Sequence, residues 1–234
     1  MAAFDSLPSV LNHALKKYFV LQRGQWIFRG HSNKCFLLKP SIGRTPHTSK
    51  TTEIYEKSIF TIFKREAQGY IQTLPSTDWE WLSFAQHHGL PTRLLDWSYN
   101  PMTALYFAAD RDPGQDGEFF ALRAPRQASE SVRKGSPFDL TVPAKYFPSI
   151  VSPRIRAQEG LFVACSALDE SLDSTLPPNW EMERVIIPAE AKAELRYTLF
   201  RMGVHASSLF PDIDGLAKRL LWQHSIRSPF STGH

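Results

Sequence analysis

The sequence predicts an α+β fold: a single domain in which a small mixed or antiparallel sheet packs against a central pair of apolar helices. Three observations carry that prediction. Short apolar or alternating runs of strand length occur at QWIFRG (25–30), EFFALRA (118–124), LFVACSA (161–167) and RVII (184–187). They gather before and after the central helices instead of alternating with helices one by one, so no serial βαβ pattern is present. Two aromatic-rich helical segments, within WEWLSFAQHHGLPTRLLDWSYNPMTALYFAA (79–109), flank a connector that holds His87, His88, Arg93 and Asp96. Charges set inside the most apolar part of a chain are costly to bury, so they either pair with each other or face a ligand.

The elements follow in order. Residues 6–19 place Leu11, Ala14, Leu15, Tyr18 and Phe19 at helical spacing, an amphipathic helix that makes 1–24 an N-terminal docking segment. Gly24 breaks the pattern, and the strand 25–30 ends at Arg29-Gly30. A polar loop, 44–52, leads into a long helix from Thr52 to about Leu74 with Tyr55, Ile59, Ile62, Phe63, Ala67, Tyr70 and Leu74 as its apolar stripe. Thr77 and Glu80 form a capping-box pattern for a helix that runs to His88 and stops at Gly89. RLLDW (93–97) is short and extended; Asn100 and Pro101 then start a nearly all-apolar helix as N-cap and first helical residue. Residues 125–153 read as loops. After the strand 161–167 come a loop (168–180), the strand 184–187, a helix from Ala189 to Met202, a last helix from Ile213, and a frayed tail over 225–234.

At 234 residues the chain has the length of one large domain, and its 42% hydrophobic and 21% charged residues are ordinary for a globular protein. No apolar run approaches ~18 residues, and the N-terminus lacks the basic region of a signal peptide, so the expected location is cytoplasmic with no membrane association. Cys35 and Cys165 lie far apart and outside any metal-ligand spacing; they read as free thiols, and no metal site is expected. The net charge of +4 is too small to imply nucleic acid by itself and is compatible with a phosphate-bearing ligand. Phosphate-loop, dinucleotide-turn, serine-hydrolase and zincin motifs are all absent.

Five constellations remain. Arg29 can hold a phosphate or carboxylate in two-pronged fashion, with Gly30 letting a ligand approach the backbone, or it can pair with a core carboxylate such as Asp96. His87 and His88 point roughly 100° apart on a helix and cannot chelate a metal as an i, i+4 pair would; one of them can face a ligand. Arg93 and Asp96, three apart, read as an ion pair pinning the connector, so Asp96→Ala is expected to destabilise more than Arg29→Ala. Gln158, in the run Arg154, Arg156, Gln158, Glu159, can read an amide or a ribose hydroxyl, or serve as a polar lead-in to a strand. Glu181 and Glu183 share a face of an extended segment, where they can bind a ribose hydroxyl and stabilise positive charge, or remain two solvated acids.

WIFRGHSN, LKPSIGR, the block 79–109, RIRAQEGLF and SSLFPDIDGLA together resemble the FRG domain family, named for an (F/Y)RG motif that is Phe28-Arg29-Gly30 here. The resemblance runs over roughly 22–222, which makes 25–224 the FRG domain. It implies a bacterial or phage-associated protein linked to defence systems and toxin-like modules. A more distant likeness is to ADP-ribosyltransferases, in which an aromatic-Arg-Gly on an early strand binds the NAD phosphates and the second acid of a late E-x-E is catalytic. That likeness implies NAD as ligand, Arg29 and Glu183 as catalytic residues and Glu181 as a ligand-binding one; Gly30, His87, His88 and Gln158 are the further ligand-binding candidates read from the residues themselves. The alternative is a non-catalytic sensor for a nucleotide, nucleic acid or protein target.

Overall fold

The computed structural model describes residues 12, 26–124, 132, 134–149 and 152–225. The expected docking helix over 6–19, apart from Asn12, and the tail beyond Ser225 lie outside the described residues. The strands are β1 (Trp26–His31), β2 (Leu94–Ser98), β3 (Gly117–Arg123), β4 (Ala144–Tyr146), β5 (Gly160–Ala164) and β6 (Glu181–Ile187). They form one antiparallel sheet in the order β4-β5-β2-β1-β3-β6. The helices are α1 (Thr52–Ala67), α2 (Asp78–His87), α3 (Pro101–Ala109), α4 (Pro153–Ala157), α5 (Lys192–Arg201), α6 (Ala206–Leu209) and α7 (Ile213–Gln223). The fold is α+β, and none of its described helices is long and apolar enough to cross a membrane.

Strand alternation sorts the core into layers. Phe28, Phe119 and Ala121 turn toward α3 and, behind it, Leu195 and Leu199 of α5. Ile27, Leu95, Trp97, Phe120, Leu161 and Val163 point to the opposite face, which the loop residues Leu38, Ile42, Leu168 and Leu172 cover. Leu94, Phe162 and Ala164 meet Phe60 of α1 and Trp79, Trp81 and Leu82 of α2. Phe28 registers opposite Ser98, and Ser98 shares a face with Leu94. The two apolar helices α2 and α3 therefore lie over the same face of the sheet, one on each side of the seam between β1 and β2.

Local chemistry sets the helix ends. Thr77 accepts from the Glu80 amide at 3.2 Å, and Glu80 reaches back one residue further than expected, to the Ser76 amide at 2.7 Å. Gly89 follows α2 at φ +88°, a conformation that favours glycine. Asn100 caps α3 through the Met102 amide at 2.9 Å. A Cβ on Gly30 would sit 1.9 Å from the Ala104 carbonyl oxygen, so that glycine is what lets α3 lie directly on β1.

Several expectations change. α1 ends at Ala67, and Tyr70 is 89% exposed, because the buried face of the helix carries Glu56 and Phe60 in place of the purely apolar stripe. β4, α4 and α6 arise in segments read as loops or lead-ins, and β6 begins at Glu181, so the E-x-E lies within a strand.

The expected Arg93–Asp96 ion pair does not form. Residues an odd number apart on extended chain point to opposite faces, and Arg93 turns to Glu56 instead. Its Nη2 and Nε donate to Glu56 Oε2 at 2.6 and 2.9 Å, its backbone amide donates to Oε1 at 2.7 Å, and Nη1 donates to the Pro137 carbonyl at 2.9 Å. Both side chains are 1% exposed. Removing one partner of such a pair leaves an uncompensated buried charge. Arg93→Ala or Glu56→Ala is expected to cost about 3–5 kcal/mol in urea unfolding. Asp96→Ala, whose side chain is exposed, is expected to cost under about 1 kcal/mol.

Candidate functional site

β1 and β3 register along six residue pairs, but β1 and β2 register only at Phe28↔Ser98. Beyond that pair the two strands part. Arg29 spans the opening: its Nη1 donates to the Asp96 backbone carbonyl at 2.5 Å. A cavity of about 690 Å³ occupies the seam, walled by Arg29, Gly30, Asp96 and Ser98 from the strands and by α2 and α3 on either side.

His31, two residues on, holds the arginine from behind. Arg29 Nε donates to His31 Nε2 at 3.0 Å. A guanidinium can only donate, so Nε2 must carry the lone pair and Nδ1 the proton, which it gives to the Phe36 carbonyl at 3.1 Å. Burial, and then the neighbouring Arg29 charge, push the His31 pKa down to about 3, so the ring is neutral near pH 7. Its ring also packs edge-on against Phe120 at 5.0 Å. Burial likewise lowers Arg29, with partial compensation from Asp96. A guanidinium has five N–H groups. Two are used within the protein, and the Nη2 end has no partner among the described residues. The result is an immobilised cation on a residue that lines the cavity.

The rest of the lining is mixed. Arg154 on α4 lies over the Phe210 ring at 4.5 Å and brings a second positive charge. His87 lines the cavity at the end of α2, and partial burial, His88 and Arg154 lower its pKa. Gln158 is fixed there, its Nε2 donating to the Leu209 backbone carbonyl at 3.0 Å and its backbone carbonyl accepting from Ser98 Oγ at 2.6 Å. Phe28, Phe107 and Phe162 supply aromatic surface. Trp97 and Thr103, both lining residues, carry buried polar atoms, Nε1 and Oγ1, without a hydrogen-bond partner among the described residues.

Of the residues singled out in the sequence, Arg29, Gly30, His87 and Gln158 converge here, and Asp96 joins them through its own side chain. His88 does not line the cavity; it closes α2, its ring 4.5 Å from that of Phe84. Glu181 and Glu183 are absent from the lining. They sit on the edge strand β6, opposite Arg123 and Ala121 of β3, which itself separates β6 from β1. Glu181 pairs with Arg123 at 3.2 Å. His31 escaped the sequence reading although the signal was present: in an FRGH strand, positions 29 and 31 share a face. Gln86, Trp97 and Thr103 gave no signal, because their importance comes from tertiary placement. Among the described residues no three His, Cys, Asp or Glu side chains gather as metal ligands.

Residues 24–117 match the family model of the FRG domain, a span that contains β1, α1, α2, β2 and α3. No curated protein and no solved structure matches the chain.

A neutral, buried His31 has a consequence for stability. With a folded pKa of about 3 against an ordinary 6.5, the unfolded chain binds more protons between those values. Stability therefore rises with pH across that window and falls on acidification, by at most about 1.4 kcal/mol per pH unit from this group. Urea unfolding between pH 6.5 and 5, above most carboxylate titration, should show this slope in the wild type. His31→Gln, which keeps an acceptor for Arg29, should flatten it.

Proposed function

We propose, from the match of residues 24–117 to the FRG domain and the site it contains, that the chain binds a nucleotide-type small molecule, with Arg29 of the Phe28-Arg29-Gly30 motif on the phosphate. The observation that carries this reading is the immobilised guanidinium of a cavity-lining residue, whose Nη2 has no partner among the described residues. Arg29 is held by a neutral histidine and a backbone carbonyl rather than by a carboxylate, so its charge is not neutralised by direct pairing. A structural arginine would be expected to look like Arg93, paired at both edges and closed off from solvent. The cavity volume lies within the ~300–1,000 Å³ typical of small-ligand sites. Its aromatic walls suit a base, and Arg154 adds a second contact for charge.

NAD, ADP-ribose and simple nucleotides share this chemistry. Ribosyl transfer through Glu183 is not part of the proposal, because the E-x-E lies outside the cavity. The defence context implied by the family resemblance fits a protein that responds to a nucleotide signal.

Calorimetric titration of the full chain with NAD, ADP and ATP tests the reading. Binding of at least one is expected, with Arg29→Gln weakening it at least tenfold, since a hydrogen bond to a charged group is worth about 1.5–3 kcal/mol. Absence of binding, or undiminished binding by a folded Arg29→Gln variant, would contradict it. Capture of short RNA or DNA with a steep salt dependence, without nucleotide binding, would favour a nucleic-acid ligand instead.

A further inference from the structure

We infer that Asp96 reads the vicinal hydroxyls of the ligand's ribose, so that the cavity selects ribonucleotides over 2′-deoxyribonucleotides. The inference rests on the phosphate-site reading of Arg29 and adds a second point of recognition beside it. Asp96 lines the cavity with an exposed side chain, and its carboxylate receives a single protein hydrogen bond among the described residues, from Gln86 Nε2 to Oδ2 at 3.3 Å.

That one bond is built with care. Thr92, 1% exposed, donates from Oγ1 to Gln86 Oε1 at 2.5 Å, and Gln86 Nε2 also donates to the Leu94 carbonyl at 3.2 Å. These two contacts fix which end of the Gln86 amide is carbonyl and which is NH2. The NH2 end therefore faces Asp96 and holds Oδ2 in place. Oδ1 is left without a partner among the described residues.

The adjacent guanidinium does not neutralise this carboxylate. Arg29 Nη1 takes the backbone carbonyl of Asp96 and not its carboxylate; both residues line the cavity, and Arg29 Nη2 and Asp96 Oδ1 have no hydrogen-bond partner among the described residues. An ionised carboxylate only accepts hydrogen bonds, and a guanidinium only donates them. A ligand that satisfies both must present an anionic acceptor and, close by, one or more O–H donors. A sugar phosphate does so. A ribose offers two adjacent hydroxyls to a carboxylate, and loss of one removes a charge-assisted hydrogen bond to a group held in place by Gln86.

Calorimetric titration of the full chain with inorganic pyrophosphate, ADP and 2′-deoxy-ADP separates the two layers of the argument. Pyrophosphate reports the Arg29 site alone. The expected result is binding of pyrophosphate, ADP tighter than 2′-deoxy-ADP by tenfold or more, and a preference that shrinks to within about twofold in Asp96→Ala. Gln86→Leu, which removes the group that orients the carboxylate, is expected to reduce the preference by an intermediate factor. Thermal melting of both variants checks that they are folded. Equal affinity for ADP and 2′-deoxy-ADP, with pyrophosphate still bound, overturns the role of Asp96 and leaves the phosphate site standing. A preference that persists in a folded Asp96→Ala variant also overturns it. Failure to bind pyrophosphate or either nucleotide overturns both readings.

Discussion

The architecture turns on the place where β1 and β2 stop pairing. After Phe28↔Ser98 the strands separate in the middle of the sheet, where a continuous ladder would normally satisfy every backbone group. The Arg29 guanidinium takes over one of those obligations by donating to the Asp96 carbonyl, and His31 keeps it there. The same parting admits a cavity to the sheet's interior and places a cation at its wall. One residue thus closes a defect in the sheet and supplies the chemistry of the opening. Gly30 completes the arrangement, since only a residue without a Cβ lets α3 lie against the strand at that point.

Two arginines show how differently the chain uses the same side chain. Arg93 is closed off with Glu56 and the Pro137 carbonyl, beneath the Phe138 ring, and ties α1 to the start of β2. Arg29 is held on one edge only. The distinction is one of partners: a carboxylate and two buried surfaces in the first case, a neutral imidazole and a backbone carbonyl in the second. Lys192 provides a third pattern. Its 2%-exposed side chain donates to the carbonyls of Ser32, Arg111 and Asp112 and so fastens α5 to the ends of β1 and α3.

Much of the fold was legible in the sequence because it rests on local rules. Thr77, Gly89, Asn100 and Pro101 mark the ends of α2 and α3 by capping chemistry, and the strand runs at β1, β3 and β5 follow from composition and alternation. What was not legible depends on tertiary partners. The three-residue β4 has too little sequence to announce itself and exists because β5 offers it an edge. The partner of Arg93 lies 37 residues upstream on α1, in a stripe that periodicity alone would fill with apolar residues. Arg29 and Gln158 were recognisable from residue type, but their convergence with Gln86 and Thr103 depends on how two helices straddle a seam. The E-x-E drew attention as a motif; its position on the edge strand separates it from the cavity.

The central claim is that the free edge of Arg29 receives the phosphate of a nucleotide in the seam between β1 and β2. A crystal structure of the full chain grown with ADP tests it most directly. The account predicts phosphate oxygens within hydrogen-bonding distance of Arg29 Nη2, with Nε still on His31 and Nη1 still on the Asp96 carbonyl. ADP bound with its phosphates elsewhere, or an Arg29 side chain swung out of the seam in the complex, would contradict it.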